Sequence, residues 1–302
     1  MKVYITIPTY NGGDTWIKAA ENISKYSPPG TLVHVIDSSS SDKTREIARN
    51  QGFEVRKIST SEFNHGGTRN LAVEMYKSEY DIVIFLTQDA IPQEGFIENI
   101  LSVFNDPKVA CAYGRQLPHT DATAISRHAR YFNYGEKDYI ASIDDISKKG
   151  IKTVFSSNSF AAYRVSAFIE LGGFPKNTIL SEDMYFAAKA VLAGYKIAYT
   201  AKSEVRHSHN YSITEEFRRY FDIGVFHADE PWIRDKFGGA GGEGKRFILS
   251  EFSYLFKNDI SSIPKSVICN FSKFMGYKLG QQYKKIPHRF ISRLSMHKRY
   301  WK

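Results

Sequence analysis

Acidic and histidine side chains occupy four places in this 302-residue chain where their types and spacing would allow chemistry. They are Asp37, Asp89, the adjacent pair Glu182 and Asp183, and the spaced pair His207 and His209. The two lone aspartates follow apolar runs, and the acidic pair opens a helix-like run. In a chain of alternating strands and helices, such placements bring distant carboxylates to one edge of a sheet. We expect that edge to bind a metal ion and a phosphorylated ligand.

The first two aspartates each follow a predicted strand. Asp89 ends the triplet Thr87-Gln88-Asp89 after the apolar run 82–86. A hard cation that keeps several waters is the natural bridge between one carboxylate and phosphate oxygens. Asp37 can accept hydrogen bonds from a base or a ribose. The alternatives are that Asp89 caps the loop to Pro92 and that Asp37 caps the next helix.

The polar groups later in the chain also allow either a functional or a purely structural role. Glu182 and Asp183 either supply a general base for an attacking hydroxyl or only stabilise a helix start. His207 and His209 share one face if they lie in a strand, so both could bind one metal, whereas in a loop only one might. The neighbourhood lacks the two further ligands that a structural zinc site needs. The pair Arg218-Arg219 either neutralises a diphosphate or lies on an exposed helix face.

The elements that must position these groups alternate between strand and helix. Strands are predicted at residues 3–7, 32–36, 53–58, 81–86, 109–113 and 196–200, with at least one more within 151–163. Helices are predicted at 15–25, after 41, at 66–77 and from 183 to about 193. This alternation predicts an α/β fold with a mostly parallel sheet, whose ligands sit beyond the carboxyl ends of the strands.

Composition predicts a folded protein with an unusual tail. Hydrophobic residues make up 42% of the chain, which is ample for a packed core. Residues 245–302 carry 13 Lys/Arg and two acids, while the rest of the chain carries 28 basic and 30 acidic residues. Two cysteines fit a reducing compartment. With no signal sequence and no apolar run of roughly 18 to 20 residues, we expect a cytoplasmic location at the inner face of the membrane.

The basic tail permits three interpretations. Five glycines between Gly238 and Gly244 predict a flexible joint, and apolar residues beyond it recur at helical spacing among lysines. The resulting helix either lies on an anionic membrane or packs on the body. A module that binds nucleic acid through the same charges is the third interpretation, although we expect no nucleic acid. The predicted units are residues 1–115, 116–235 and 236–302.

Several motifs, in their order along the chain, resemble glycosyltransferase family 2 and its GT-A fold. They are Tyr4–Asn11, Val35–Thr44, Gly66–Asn70, Thr87–Asp89 and Ser181–Asp183. Within that family, Phe63–Asn70, Leu86–Ala90 and Gly114–Pro118 are similar to bacterial rhamnosyltransferases. The resemblance covers roughly residues 3 to 235. It implies a Rossmann-like GT-A domain, in which residues 1–115 bind the nucleotide sugar and residues 116–235 bind the acceptor.

The resemblance also implies an activity. The enzyme would be an inverting transferase that moves a sugar, L-rhamnose from dTDP-rhamnose, to a hydroxyl of a lipid-linked or polysaccharide acceptor in O-antigen or capsule synthesis. Its cofactor would be Mg2+ or Mn2+. A UDP-sugar donor is the alternative within the family, and a nucleotide-sugar hydrolase or nucleotidyltransferase is the nearest alternative outside it.

Residue roles follow from the matched motifs. The nucleotide-sugar contacts would be Pro8, Tyr10, Asn11, Asp37, Arg69, Gln88 and Arg219, with Arg218 as a substitute for the last. Asp89 and His207 would bind the metal, with His209 as a substitute for His207. Asp183 would be the base and Glu182 would orient the acceptor, whose other contacts would be Arg115, Gln116 and His209. Thr87 stands where the family has the first acid of its Asp-x-Asp motif.

Overall fold

One central sheet organises the chain. A computed structural model describes residues 1–239 and 241–301, so Ala240 and Lys302 lie outside the described residues. The strands in the described part are β1 (Val3–Thr9), β2 (Leu32–Asp37), β3 (Glu54–Lys57), β4 (Ile82–Leu86), β5 (Ile91–Pro92), β6 (Val109–Leu117), β7 (Tyr139–Ala141), β8 (Phe160–Arg164) and β9 (Lys196–Arg206).

The sheet order is β3-β2-β1-β4-β8-β6-β9-β5, with β7 also paired to β9. Strands β1 to β4, β6 and β9 run in one direction, and β5, β7 and β8 run the other way. The expected α/β architecture with a mostly parallel sheet is therefore confirmed. The short strands β5 and β7 were not predicted, because two or three residues carry too little periodicity to detect.

Helices cover both faces of this sheet. They are α1 (Gly13–Tyr26), α2 (Thr44–Asn50), α3 (His65–Tyr76), α4 (Phe96–Leu101), α5 (Ala124–Asn133), α6 (Ile146–Lys149), α7 (Val165–Glu170), α8 (Glu182–Leu192), α9 (Ile213–Asp229), α10 (Pro231–Phe237), α11 (Gly241–Asn258), α12 (Ile263–Gln281) and α13 (His288–Leu294). The helices predicted in the first half and after residue 182 are confirmed within a few residues.

Strand β4 shows how the core divides into two layers. Val83 and Phe85 belong to the hydrophobic layer that α8 covers, while Ile82, Ile84 and Leu86 belong to the layer that α1 covers. Alternate side chains of a strand point to opposite faces of the sheet, so a strand that is apolar throughout must be covered on both sides. The run 82–86 is fully buried for this reason.

The basic tail packs on the body through α12, which crosses α9 at very short range. A Cβ on Gly276 would lie 2.3 Å from the carbonyl oxygen of Phe217, and one on Gly280 would lie 2.0 Å from that of Phe221. Beside this crossing, Lys273 forms an ion pair with Glu216 at 3.2 Å. Of the predicted flexible joint, Ala240 lies outside the described residues, and α11 begins at once at Gly241.

No helix within residues 1–239 and 241–301 is long and apolar enough to cross a membrane. The packed tail nevertheless leaves large apolar side chains on the surface, which are considered below with the proposed function.

Candidate active site

The pairing of β5 with β9 brings Asp89 to the two histidines. Ile91 pairs with Arg206 in antiparallel register, and continuing that register by two residues sets Asp89 opposite Ser208. Asp89 Oδ2 consequently lies 3.4 Å from His207 Nε2 and 3.6 Å from His209 Nε2. One ligand atom from each of the three residues lies within 4.8 Å of the other two. We call these residues the Asp-His-His cluster.

A buried amide orients His207 within this cluster. His207 Nδ1 lies 2.9 Å from Gln116 Oε1, and the same oxygen accepts a 2.7 Å hydrogen bond from Arg130 Nη1. The amide nitrogen of Gln116 donates to Ser157 Oγ at 2.8 Å. The amide oxygen can only accept, so Nδ1 carries a proton and Nε2 is the nitrogen that faces the cluster. Fixing a ligating histidine in this way is typical of metal sites in proteins.

The charge states of the cluster also suit a cation. Burial disfavours the charged form of Asp89, but His207 and then His209 outweigh it and hold the pKa of Asp89 well below its usual range. Burial and the nearby His207 lower the pKa of His209 to about 4, so its imidazole is neutral at pH 7. A carboxylate and imidazole nitrogens are metal ligands, and this donor set therefore fits the expected divalent cation.

The acidic pair occupies a different environment at the start of α8. Glu182 is buried and forms an ion pair with Arg69 at 3.1 Å. Asn158 connects both acids, because its side-chain amide donates to Glu182 at 2.9 Å and its backbone N–H donates to Asp183 Oδ2 at 3.0 Å. The backbone N–H of Met184 donates to the other oxygen of Asp183 at 2.8 Å. Both carboxylates are therefore fixed in place.

Their surroundings separate the proton affinities of these two acids. Burial and the adjacent charge of Glu182 raise the pKa of Asp183 to about 7. Burial opposes ionisation of Glu182 as well, but Arg69, His65 and Asn158 together lower the pKa of Glu182. Neighbouring acids whose pKa values are driven apart are typical of acid–base sites. Asp183 is the member with the proton affinity of a base that works near neutral pH.

A cavity of about 1330 Å³ opens beside these groups. Five of the predicted residues line it, namely Pro8, Tyr10, Arg69, Gln88 and Asp89. Gln88 fixes the loop after β1, since it accepts from the backbone N–H of Tyr10 at 2.7 Å and donates to the carbonyl of Tyr10 at 3.1 Å. The loops after β1 and β4 thus form one wall of the cavity.

Three predicted nucleotide contacts lie outside the cavity lining: Asp37 and Asn11, which bind neighbouring loops, and Arg219. Asp37 is fully buried, and its oxygens accept hydrogen bonds from Thr9 at 3.0 Å and from the backbone N–H of Ser40 at 3.0 Å. Asn11 accepts from the backbone N–H of Ser41 at 2.8 Å. Both side chains therefore hold the loops together, and Ser38 takes the place beside the cavity.

The two arginines of the basic pair on α9 have different surroundings. Arg218 donates to the carbonyl of Arg293 at 3.2 Å, so it holds part of the tail. The guanidinium of Arg219 lies over the ring of Tyr211, 5.9 Å from its centroid, and His209 stacks on Tyr211 with ring centroids 4.9 Å apart. Arg219 is therefore the member of the pair that lies next to the Asp-His-His cluster.

The residues predicted for acceptor binding differ in accessibility. Gln116 is only 1% exposed and has its amide groups committed to His207, Arg130 and Ser157. Arg115 forms ion pairs with Glu136 and Glu204, both at 3.2 Å. In this structure Gln116 is a support for the cluster, because no side chain so deeply buried can touch an acceptor.

Sequence reasoning missed three groups. Asn158 lies in a run of serines that gives no sign of its contacts. Ser157 supports Gln116 from the same loop. The segment from Met296 to Tyr300 lines the cavity, although it begins 77 residues after Arg219, the predicted site residue nearest to it in the sequence. Only the three-dimensional packing of the tail reveals it.

Comparisons with known proteins identify the family of the chain. Residues 4–172 match the family described as Glycosyl transferase family 2. The chain is 51% identical over 303 residues to the O-antigen chain rhamnosyltransferase RfbN of Salmonella typhimurium, covering 100% of this chain and 96% of that protein. It is 53% identical over 302 residues to the O-antigen chain rhamnosyltransferase WbaN of Salmonella anatum, covering 98% and 95%. The predicted similarity to bacterial rhamnosyltransferases is therefore confirmed.

Solved structures share the fold. The mannosyltransferase PcManGT from Pyrobaculum calidifontis, in complex with GDP-Man and Mn2+, aligns with a TM-score of 0.58 and 18% identity over 99% of this chain and 84% of that one. TarS 1-349 of S. aureus, in complex with UDP-GlcNAc, aligns with a TM-score of 0.55 and 18% identity over 98% and 84%. The family match over residues 4–172 and the two relatives above 50% identity show that the chain belongs to glycosyl transferase family 2.

Proposed function

We propose that this chain transfers L-rhamnose from dTDP-rhamnose to a hydroxyl of a lipid-linked glycan during O-antigen synthesis. The observation that carries the proposal is one cavity lined by Asp89 of the Asp-His-His cluster and by Arg69, the ion-pair partner of Glu182, which adjoins an aspartate whose pKa is about 7. The names of the two relatives above 50% identity support rhamnose as the sugar and O-antigen as the product.

Asp183 acts as the base in this proposal. Its carboxylate takes the proton from the acceptor hydroxyl, and the hydroxyl oxygen attacks the anomeric carbon as the bond to the diphosphate breaks. The attack comes from the face opposite the nucleotide, so one displacement inverts the anomeric centre. Glu182 stays ionised beside Arg69, and its charge keeps the proton affinity of Asp183 high enough for this step.

Other side chains of the site balance the charge that develops on the leaving diphosphate. Arg219 lies next to the Asp-His-His cluster, and Arg69 lines the cavity, so both present positive charge on the donor side. A divalent cation, when bound, supplies further positive charge to the leaving diphosphate oxygens. Tyr10 and Pro8 border the nucleotide from the carboxyl end of β1.

The ligand set favours Mn2+ over Mg2+ for the cation. Mg2+ prefers an all-oxygen environment, whereas the cluster offers two imidazole nitrogens and one carboxylate. Mn2+ would accept imidazole nitrogen more readily than Mg2+ does and would still suit the carboxylate, so Asp89, His207 and His209 would hold Mn2+ more tightly than Mg2+. Calorimetric titration of the nucleotide-free protein with Mn2+ and Mg2+ tests this preference, and tighter binding of Mg2+ would contradict it.

The test of the donor is a calorimetric titration of nucleotide sugars in the presence of Mn2+. The panel contains dTDP-rhamnose, UDP-sugars and a GDP-sugar. Selective binding of dTDP-rhamnose supports the proposal, whereas selective binding of a UDP-sugar would remove rhamnose and leave the transferase mechanism. Release of dTDP that depends on an added lipid-linked acceptor separates transfer from hydrolysis of the donor.

We also propose that the exposed face of α11 and α12 rests on the anionic inner surface of the cell membrane. On α12, Ser266, Cys269 and Gly276 are buried against the body, which turns the opposite side outward. That side and the neighbouring part of α11 expose large apolar residues: Leu249, Phe256, Val267, Ile268, Phe271 and Phe274. Phe256 and Phe271 are each 64% exposed. Neighbouring apolar side chains that are this exposed are typical of a surface that binds a protein or a membrane.

Charge supports the bilayer as the occupant of this face. The tail carries 13 basic residues against two acids, and each lysine or arginine near an anionic surface contributes about 1 kcal/mol of attraction. Apolar side chains framed by such charges are the pattern of a helix that lies in the membrane interface. The position also suits an acceptor that is itself anchored in lipid.

Vesicle flotation tests the membrane contact. The paired substitution Phe271→Ser and Phe274→Ser should abolish flotation with vesicles rich in phosphatidylglycerol, while Ile169→Ser, at an exposed apolar position of α7, should not. Wild-type protein should float less with phosphatidylcholine vesicles or at high salt. Equal flotation of all three proteins would contradict the assignment, and displacement by polynucleotide would favour a nucleic-acid ligand.

A further inference from the structure

The segment from Met296 to Tyr300 returns from the tail to the nucleotide-sugar cavity. All five of its residues line the cavity, facing the loops that follow β1 and β4. We call residues 296–300 the returning segment. It adds to the cavity a wall from a part of the chain that the motif resemblance, residues 3 to 235, does not reach.

Hydrogen bonds fix the returning segment on both sides. Asp222 of α9, which is fully buried, accepts hydrogen bonds from the backbone N–H groups of Met296 at 2.9 Å and His297 at 3.0 Å. At the other end, Tyr300 Oη donates to the carbonyl of Asn177 at 2.8 Å. Between them, the His297 ring lies 3.4 Å from His65 of α3. The segment is therefore held in place as part of the cavity wall.

Arg299 is placed where the segment meets the loop after β1. Its guanidinium lies over the ring of Tyr10, 5.2 Å from the ring centroid, and Nη2 is 3.5 Å from the tyrosine hydroxyl. Tyr10 is tied to Gln88, the residue before Asp89. Arg299 thus lines the same cavity as Asp89 of the Asp-His-His cluster.

The charges of the returning segment have no acidic partner. Among the ion pairs of residues 1–239 and 241–301, none involves Lys298 or Arg299. Two adjacent cations at the edge of a cavity attract an anionic ligand, and a guanidinium binds phosphate oxygens with two parallel hydrogen bonds. Within the proposed function, on which this inference rests, the anion available is the donor's diphosphate.

We infer that the returning segment is part of the donor site and that Arg299 binds the diphosphate of the nucleotide sugar. Its contact with Tyr10 joins the tail to the loop after β1 over the ligand. Hydrogen bonds to a charged group are worth roughly 1.5 to 3 kcal/mol, so loss of the guanidinium should weaken nucleoside diphosphate binding about 10- to 100-fold.

Calorimetric titration of the full chain with dTDP, in the presence of Mn2+, tests the inference. Arg299→Ala should weaken dTDP binding at least about tenfold, and Arg299→Lys should restore part of the loss. Arg289→Ala is the matched control, because Arg289 is an exposed arginine of the same tail outside the cavity lining and its loss changes the net charge equally. The control should bind dTDP like the wild type.

Equal affinities of Arg299→Ala and Arg289→Ala for dTDP would overturn the inference and leave the proposed function intact. Failure of the wild-type protein to bind any nucleoside diphosphate would overturn the proposed function and the inference with it. Melting temperatures of the three variants without ligand should match, which shows that a lost affinity does not come from unfolding.

Discussion

Asp89 and Asp183 are the same residue type in two surroundings with opposite effects. Burial opposes the charge of Asp89, but His207 and His209 outweigh it and lower the pKa of Asp89, while burial and a neighbouring carboxylate raise the pKa of Asp183 to about 7. A carboxylate that stays charged holds a cation, and one that titrates near neutral pH moves a proton. The proposed roles of these two residues, metal binding and proton transfer, are therefore set by the neighbouring groups and not by the type of side chain.

Removing the base should produce the largest effect. Asp183→Asn keeps the size of the side chain but cannot accept the hydroxyl proton, so kcat should fall about 10²- to 10⁴-fold. Donor affinity should stay within about twofold of the wild type, because donor binding does not need the base. Rate assays and calorimetry measure the two quantities. Asp144→Asn, at an exposed acid, is the control, and transfer by Asp183→Asn at the control's rate would refute the assignment.

Removing the negative charge from the Asp-His-His cluster should mainly weaken the binding of the metal ion. Asp89→Asn leaves two imidazoles and no anion, so Mn2+ affinity should fall by more than the roughly 10- to 100-fold typical for supporting residues. Metal-dependent donor binding should fall with it. Titration with Mn2+ measures the first effect, and a variant with unchanged Mn2+ affinity would remove the cluster from the metal site.

A subtler substitution tests the support of His207. Gln116→Met keeps the volume but removes the oxygen that accepts from His207, so Mn2+ affinity should fall about 10- to 100-fold. Ser157→Ala, which affects only the other end of the same amide, should have a smaller effect. If both substitutions weaken Mn2+ binding equally, the amide acts through packing and not through the orientation of the histidine.

The smallest expected effect is a shift in the pH dependence of kcat/KM when Glu182 of the acid pair is replaced. Asp183 acts only when unprotonated, so kcat/KM should rise with pH, about tenfold per unit, and level off above about pH 7. Glu182→Gln removes the charge that raises this pKa and leaves Arg69 to lower it, so the midpoint should move to lower pH by about one unit. A pH–rate profile of both proteins measures the shift, and an unchanged or raised midpoint would contradict it.

The order of strands and helices was predictable because each long element has a clear periodicity. Apolar runs such as 82–86 predict strands buried on both faces, and the structure has them there. The short strand β5 was not predictable, yet its register with β9 is what sets Asp89 between the histidines. A two-residue strand is determined by its partner across the sheet and not by its own sequence.

The predicted site residues show the same division. Motifs selected Asp89, Asp183 and the histidines, but residue type alone did not distinguish a side chain that faces a ligand from one that supports it. Asp37 and Gln116 are polar residues in matched motifs, and both are buried supports in the structure. Their hydrogen-bond partners come from other elements, which a single sequence cannot place.

The glycine contacts between α9 and α12 have a consequence for how this enzyme can be recombined with its relatives. Gly276 and Gly280 admit no side chain against the backbone of α9, and Gly224 of α9 meets α12 in the same way, with a Cβ there 2.3 Å from the carbonyl oxygen of Tyr277. The packing surfaces of the two helices are therefore complementary. A chimera that exchanges the tail with that of a relative must take both α9 and α12 from the same parent protein, because neither helix can pack this closely against an unmatched partner.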